Sequence, residues 1–391
     1  MINMQIIQNA DLKNKNVLLR LELNVPIEDG KILNDKRVRE ALPTIKFLIE
    51  NGVAKITIIA HLGKPEGKVD KKYSLWPVAN RLSELLSSGK NYISSADEYP
   101  ISDKILLLEN LRFNPGEEEN DSVFAKNLTK NQDIFINDAF GTCHRAHAST
   151  VGVTKFLPSY AGLLIQKEVE NLTKLETAKE KSFTVILGGA KIADKLPIIK
   201  NLTSRAQNFL IGGAIASTFL VARRHYLGKS LIENDDFREA NIIWQQIMDE
   251  PDRNIYLPVD LVISRSLEKA VDQKEIDVSV LLKPDAIEEY MVVDIGSKTR
   301  EKYAKVIEQS KTIFWNGNMG VSEVEEFSKG TEAIADAVAS SPAFSVVGGG
   351  DTVGFLENAG LIDKVSFAST GGGATLEFIS GQELPGLKVL E

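Results

Sequence analysis

The stretch Asp133–Thr150, DIFINDAFGTCHRAHAST, joins a short apolar run to a polar block. The block Asn137–Thr150 holds one carboxylate, one arginine, two histidines and a run of small polar residues. The chain has only four histidines (His61, His144, His147 and His225), and two of them lie within four residues here. A core segment would not carry so many ionisable groups, because each would need a buried partner. The order of strand and then polar turn predicts an anion site at a strand end; a solvated loop after a strand is the plain alternative.

Working outward, the same layout recurs: a short β-branched or Leu-rich run, a polar or glycine-rich turn, then a helical stretch. Val17–Arg20 leads into Glu22 and Asn24, Ile56–Ala60 into His61-Leu62-Gly63-Lys64, and Ile105–Leu108 into Glu109-Asn110-Leu111-Arg112. Asp35–Glu50 has helical spacing of Val38, Leu42, Ile45, Leu48 and Ile49, stopped at Asn51-Gly52. In the second half, Phe183–Leu187, Phe209–Ile211, Thr312–Trp315, Phe344–Val347 and Val365–Ala368 each end at glycine-bearing turns. Alternating strands and helices predict an α/β protein with parallel sheets covered on both faces. In such sheets ligands sit beyond the carboxyl ends of the strands, where these turns fall. Ile165–Lys181 reads as an amphipathic helix, with Val169, Leu172 and Leu175 on one side, that would connect two domains.

A chain of 391 residues exceeds what one core usually fills. A net charge of −8 argues against general affinity for nucleic acid or anionic membrane, so any basic site must be local. Cys143 is the only cysteine, which fits a reducing compartment; it reads as a small filler rather than a nucleophile beside His144. The start, MINMQIIQNADLK, lacks the regions of a signal peptide. The apolar stretch Phe209–Ala222 falls short of the ~20 residues of a bilayer span. A soluble, cytoplasmic protein is expected.

The two halves offer unlike chemistry. Gly348–Thr352 places glycines and Asp351 at a strand end before a helix, and Gly371–Gly373 repeats the device. Glycine lets backbone N–H groups approach a phosphate, and a helix N-terminus adds partial positive charge. Asp351 suits a hard cation such as Mg²⁺. GxxxxGK[ST] is absent, so this is no P-loop. Lys191 and Lys195 are four apart after Gly188-Gly189-Ala190 and would share a helical face within reach of phosphate. In the first half Arg37, His61, Lys64, Arg112 and Arg145 make a candidate basic patch for a small polyanion. Nucleotide on one domain and polyanion on the other imply phosphoryl transfer.

At these residues the chain resembles phosphoglycerate kinase over nearly its whole length. RLELNVP (Arg20–Pro26), HLGKP (His61–Pro65), LENLRF (Leu108–Phe113) and NDAFGTCHRAH (Asn137–His147) are similar to that family's substrate-domain motifs. GGAKIADK (Gly188–Lys195), WNGNMG (Trp315–Gly320), GGGDT (Gly348–Thr352) and TGGGATLE (Thr370–Glu377) are similar to its nucleotide-domain motifs. The resemblance implies two doubly wound, Rossmann-like parallel-sheet domains joined by a hinge helix. Residues 1–167 would form the phosphoglycerate-binding domain with the tail 380–391 packed back on it, residues 168–181 the interdomain helix, and residues 182–379 the nucleotide-binding domain. It implies reversible transfer of a phosphoryl group between 1,3-bisphosphoglycerate and ADP, giving 3-phosphoglycerate and MgATP, by a cytoplasmic monomer. Position by position, Glu22, Asn24, Arg37, His61, Lys64, Arg112 and Arg145 would bind phosphoglycerate. Lys195 would follow the moving phosphoryl group, with Lys191 and Arg37 balancing charge. Glu323 would face the ribose, Gly349, Gly350 and Thr352 the phosphates, and Asp351 the Mg²⁺.

Four positions depart from the family pattern. Glu22 stands where aspartate is usual, Lys64 for arginine, Asn318 for the proline of an NGP turn, and Ala214 for a third glycine. Glu22 sets its carboxylate one methylene further out, Lys64 loses a bidentate fork, and Asn318 is expected to loosen its turn. Those changes are the only support for an alternative: a non-catalytic paralogue binding nucleotide and phosphoglycerate as a sensor or scaffold.

Overall fold

A computed structural model describes residues 4–92, 96–178, 182–190, 193, 195–232 and 237–391. The chain divides into two compact units, Met1–Glu170 with Glu383–Glu391, and Asn171–Gln382. The division falls within the helix Leu163–Thr177, which starts and stops earlier than its apolar spacing suggested. Residues 179–181, the end of the expected interdomain helix, lie outside the described residues.

In the first unit the strands are β1 (Asn16–Leu21), β2 (Ile27–Glu28), β3 (Lys31–Ile32), β4 (Lys55–Ile59), β5 (Glu98–Pro100), β6 (Ile105–Leu108), β7 (Ile134–Asp138) and β8 (Ser159–Ala161). Six of them form one sheet in the order β5-β6-β4-β1-β7-β8. All neighbours are parallel except the edge strand β5, which runs antiparallel to β6. The central strands are apolar because both faces are covered: Val17 to Leu21 and Ile134 to Asp138 are buried without a break. Val38, Ala41, Ile45 and Leu48 make the buried stripe of the helix Lys36–Glu50. β2 and β3 form a small hairpin.

The second unit contains β9 (Phe183–Leu187), β10 (Asn208–Ile211), β11 (Asn254–Tyr256), β12 (Asp260–Ser264), β13 (Lys274–Asp277), β14 (Met291–Ile295), β15 (Thr312–Asn316), β16 (Phe344–Gly348) and β17 (Phe367–Ala368). A six-stranded sheet has the order β11-β10-β9-β15-β16-β17 and is parallel throughout. Beside it stands an antiparallel sheet, β13-β12-β14, which the sequence reading did not anticipate. Its strand β13 is the polar, largely exposed KEID, which carries no apolar alternation to reveal it.

Each six-stranded sheet winds outward in both directions from its centre. The switch lies between β1 and β7 in one unit and between β9 and β15 in the other. Register then brings strand ends level: Arg20 pairs with Ile59 and Asn137, while Asn316 pairs with Leu187 and Gly348. The polar turns therefore open side by side at the switch points.

The C-terminal residues close onto the first unit. Gln5 donates its N–H to Leu390 at 2.7 Å, and Gly386 donates to the Cys143 carbonyl at 2.8 Å. A Cβ at residue 386 would lie 2.8 Å from Cys143 Cα, so glycine is required there by close approach.

Candidate active site

In the first unit, the ends of β1, β4, β6 and β7 bring most of the expected basic residues together. Arg20, the last but one residue of β1, is almost wholly buried. It donates from Nη2 to His61 Nδ1 at 3.0 Å, from Nε to Ser149 Oγ at 2.9 Å, and from Nη1 to the Leu21 carbonyl. Arg112 is buried in the turn after β6 and donates to the Gly63 carbonyl at 2.8 Å, with Glu118 at 3.3 Å. Asn24 accepts the Gly63 N–H at 2.9 Å, and Arg37 donates to the Asn24 carbonyl. Glu22 is buried beside Arg37 at 3.7 Å. Arg145 is half-buried and donates to His144 Nε2 at 3.1 Å. Lys64 is exposed.

Charges on these groups shape one another. Burial first, then Arg20, Arg112 and Arg37, hold His61 well below its ordinary range. Burial, then Arg112, Arg20 and Arg145, depress His147 to about 4. Both rings are therefore neutral near pH 7, and the positive charge is carried by guanidinium groups. Like charges gathered in a partly desolvated site favour an anionic ligand that spreads across several of them.

Cys143 is fully buried, and burial drives its thiol up, away from thiolate. Its sulfur is enclosed near Ala139 and Asn137, so it fills space and is no nucleophile.

In the second unit a cavity of about 670 Å³ opens over the ends of β9, β15 and β16. Gly188, Lys195, Gly317, Glu323, Gly349, Gly350, Asp351 and Thr352 all line it. The turn backbones touch so closely that side chains are excluded. Gly317 has φ +93°, and a Cβ there would lie 2.1 Å from the Gly188 carbonyl oxygen. Gly349 precedes the helix Gly350–Asn358, so Asp351 sits in its first turn. Lys195 donates from Nζ to Asn316 Oδ1, while Asn316 donates to the Gly348 carbonyl at 2.7 Å. Thr352 uses its hydroxyl to accept the Gly317 N–H at 2.8 Å, tying two turns together.

Two expectations need correction here. Lys195 caps the helix Leu196–Leu202 and is not inside it, because Pro197 favours the first helical turn. The shared helical face proposed for Lys191 and Lys195 therefore does not form at Lys195, and Lys191 lies outside the described residues. Asn318 does not loosen its turn: its carbonyl accepts the Gly189 N–H at 2.8 Å and its side chain donates to Ser322. Ala214 lies within the helix Gly213–Ala222, where a Cβ fits; the left-handed residue is Gly213, at φ +58°.

Sequence reasoning missed Arg20, Glu117, Ser149, Asn110 and Asn316. Arg20 had a signal, a charge inside the Leu-rich run VLLRL. Asn110 braces the His61–Lys64 turn, donating to the Leu62 carbonyl at 2.7 Å and to Tyr73 at 2.9 Å. Ser149 and Asn316 lie in stretches the sequence marked, the block Asn137–Thr150 and WNGNMG, but their roles, like that of Glu117, depend on partners distant in sequence.

The profile described as phosphoglycerate kinase matches residues 7–382. The chain belongs to the phosphoglycerate kinase family. It is 46% identical over 392 residues to the phosphoglycerate kinase of Thermosipho africanus, covering 97% of this chain and 96% of that one. It is 42% identical to that of Finegoldia magna, with both chains covered in full (100% each). Among solved structures, phosphoglycerate kinase from Coxiella burnetii superposes with a TM-score of 0.85 at 39% identity, covering 99% of this chain and 98% of that chain. The Pyrococcus horikoshii phosphoglycerate kinase gives 0.84 at 36% identity, with 99% and 98% covered. The two parallel-sheet arrangement agrees with these neighbours. The chain is accordingly an enzyme, a glycolytic kinase of the phosphoglycerate kinase family. These full-length kinase relatives lend no support to the sensor or scaffold alternative.

Proposed function

We propose that the second unit's cavity takes ADP or ATP and the first unit's basic cluster takes 3-phosphoglycerate or 1,3-bisphosphoglycerate. The observation that carries this reading is the cavity lined together by Lys195, Asp351, Glu323 and the glycine turns at Gly188, Gly213, Gly317, Gly349 and Gly372. Backbone N–H groups at such turns suit phosphate oxygens, and the first turn of Gly350–Asn358 adds partial positive charge. Lys195, already held by Asn316, would stay with the phosphoryl group as it moves, and Lys191 would balance charge. Glu323 is exposed at the cavity wall, suited to ribose hydroxyls.

In the first unit, Arg37, Arg112 and Arg145 would bind phosphate and carboxylate oxygens, with Asn24, His61, Glu22 and Lys64 completing the pocket. In the ATP-forming direction the acyl-phosphate P–O bond breaks as a P–O bond forms to the terminal oxygen of ADP, and the carboxylate leaves. No side chain becomes covalently attached. Catalysis comes from positioning and charge neutralisation. Bending at a hinge near the helix Leu163–Thr177 would let the two ligands meet with water excluded.

The residues fit a Mg²⁺ ion. Asp351 is an exposed carboxylate on the cavity wall, and among the described residues no cluster of three metal-ligating side chains exists. One carboxylate plus ligand phosphates is the manner in which Mg²⁺ is usually held. When bound, the ion neutralises phosphate charge. Among the described residues no helix is long and apolar enough to cross a membrane. A glycolytic role supports a cytoplasmic location, and a monomer follows the family pattern.

The test is steady-state turnover with 3-phosphoglycerate and MgATP, coupled to NADH oxidation through glyceraldehyde-3-phosphate dehydrogenase. Turnover abolished in Lys195→Ala supports the reading; near-normal turnover in that variant removes Lys195 from its role.

A further inference from the structure

We infer that Arg20 is a positioning residue that fixes His61 as a neutral imidazole with its proton on Nε2, and that Glu117 holds Arg20 to this task through Ser149. The inference rests on the assignment of the first unit's basic cluster to phosphoglycerate.

A guanidinium has donors and no acceptor. Arg20 Nη2 lies 3.0 Å from His61 Nδ1, so that nitrogen must be the acceptor and cannot carry a proton. The ring's single proton then lies on Nε2, which has no protein partner among the described residues. His61 thus enters the site as a neutral hydrogen-bond donor and adds no charge to those of Arg37, Arg112 and Arg145. Protonating it would set an imidazolium N–H against the Arg20 guanidinium, in a site already crowded by Arg112, Arg37 and His147. A neutral donor discriminates by direction, whereas another cation would attract any anion.

Arg20 can do this only if its own orientation is determined. Glu117 is fully buried and accepts from Ser149 twice, from Oγ at 2.5 Å and from the backbone N–H at 3.0 Å. With its proton given to Glu117, the Ser149 hydroxyl presents a lone pair to Arg20 Nε at 2.9 Å. The Leu21 carbonyl takes Nη1, leaving Nη2 aimed at the ring. Arg20 thus donates both to Ser149 and to His61, Ser149 donates on to Glu117, no atom is asked to give and take the same proton, and all four residues are buried.

His144 supplies an internal contrast. Arg145 Nε donates to its Nε2 at 3.1 Å, so His144 should carry its proton on Nδ1, the opposite tautomer.

The experiment is long-range ¹H–¹⁵N NMR of the full chain without ligand, with the His61 signal assigned by its loss in His61→Gln. The expected result is a protonated Nε2, an unprotonated Nδ1, and no titration between about pH 6 and 8. Ser149→Ala should move the His61 signals toward a mixture of tautomers. It should raise KM for 3-phosphoglycerate about fivefold and leave KM for MgATP within about twofold. A proton on Nδ1, or an imidazolium at about pH 7, overturns the inference. Unchanged His61 signals in Ser149→Ala overturn the part played by Glu117. Failure of the wild-type chain to bind 3-phosphoglycerate, with His61 in the expected tautomer, would instead overturn the ligand assignment and sustain the tautomer.

Discussion

Glu22 Oε1 lies 3.7 Å from Arg37 Nη1, with the carboxylate buried and the guanidinium about one-third exposed at 32%. The longer side chain at position 22 therefore spends part of its charge on the arginine expected to serve the transferred phosphoryl group. Glu22→Asp withdraws the carboxylate by one methylene and should raise kcat/KM for 3-phosphoglycerate by roughly twofold to fivefold, about 0.4–1 kcal/mol. Saturation curves at fixed MgATP measure it. An unchanged or lower value would show that the pocket has adapted to glutamate.

Asp351 stands in the first turn of Gly350–Asn358 at the cavity wall. Asp351→Asn keeps the shape and removes the charge that would hold the cation. The Mg²⁺ concentration for half-maximal turnover should rise by roughly tenfold or more, with KM for 3-phosphoglycerate unaltered. A Mg²⁺ titration at saturating ATP decides it; an unmoved midpoint places the ion elsewhere.

Asp138 is fully buried, and burial raises its carboxyl to about 6, despite the N–H groups of Leu164 and Ile165 at 2.8 and 3.3 Å. The folded state therefore holds this proton to higher pH than the unfolded chain, where an aspartate titrates near ~3.9. The sign follows: this group costs no stability below ~4, and its cost grows as pH rises to about 6. Asp138→Asn keeps an oxygen for both N–H groups. Its stability relative to the unsubstituted chain should rise by about 2 kcal/mol from pH ~4 to ~7. Urea denaturation across that range would show a flat difference if Asp138 were unshifted.

Gly317 combines φ +93° with a carbonyl oxygen 2.1 Å from the place a Cβ would take, whereas Gly360, at φ +68°, has open space. Gly317→Ala should cost about 3 kcal/mol or more and weaken nucleotide binding, because the turn of Gly188 must move. Gly360→Ala should cost only about 1–2 kcal/mol of backbone strain. Thermal unfolding of the two variants makes the comparison; equal losses would mean that the close approach is readily relieved.

Much of the site was legible because strand ends announce themselves. The run before His61 and the run before Asn137 were apolar, and the residues that followed could not belong in a core. Glycine turns were equally visible, since GGGDT and WNGNMG have no plain use inside an element. The error at Lys195 came from starting the helix before Leu196, although Pro197 marks its first turn. The error at Asn318 came from judging a turn by its missing proline, when Gly189 and Ser322 supply the restraint.

By itself, the sequence determined the alternation of strands and helices, the polar character of each strand end and the family. These are local properties, written in periods of a few residues. Only the tertiary structure decided that Glu117 reaches Arg20 through Ser149, across 129 positions between Arg20 and Ser149. It also decided that Lys195 leans on Asn316, 121 positions away. Parallel β-pairing is the reason. It sets level the ends of strands far apart in the chain, and no periodicity records which distant carboxylate or amide will meet a given cation.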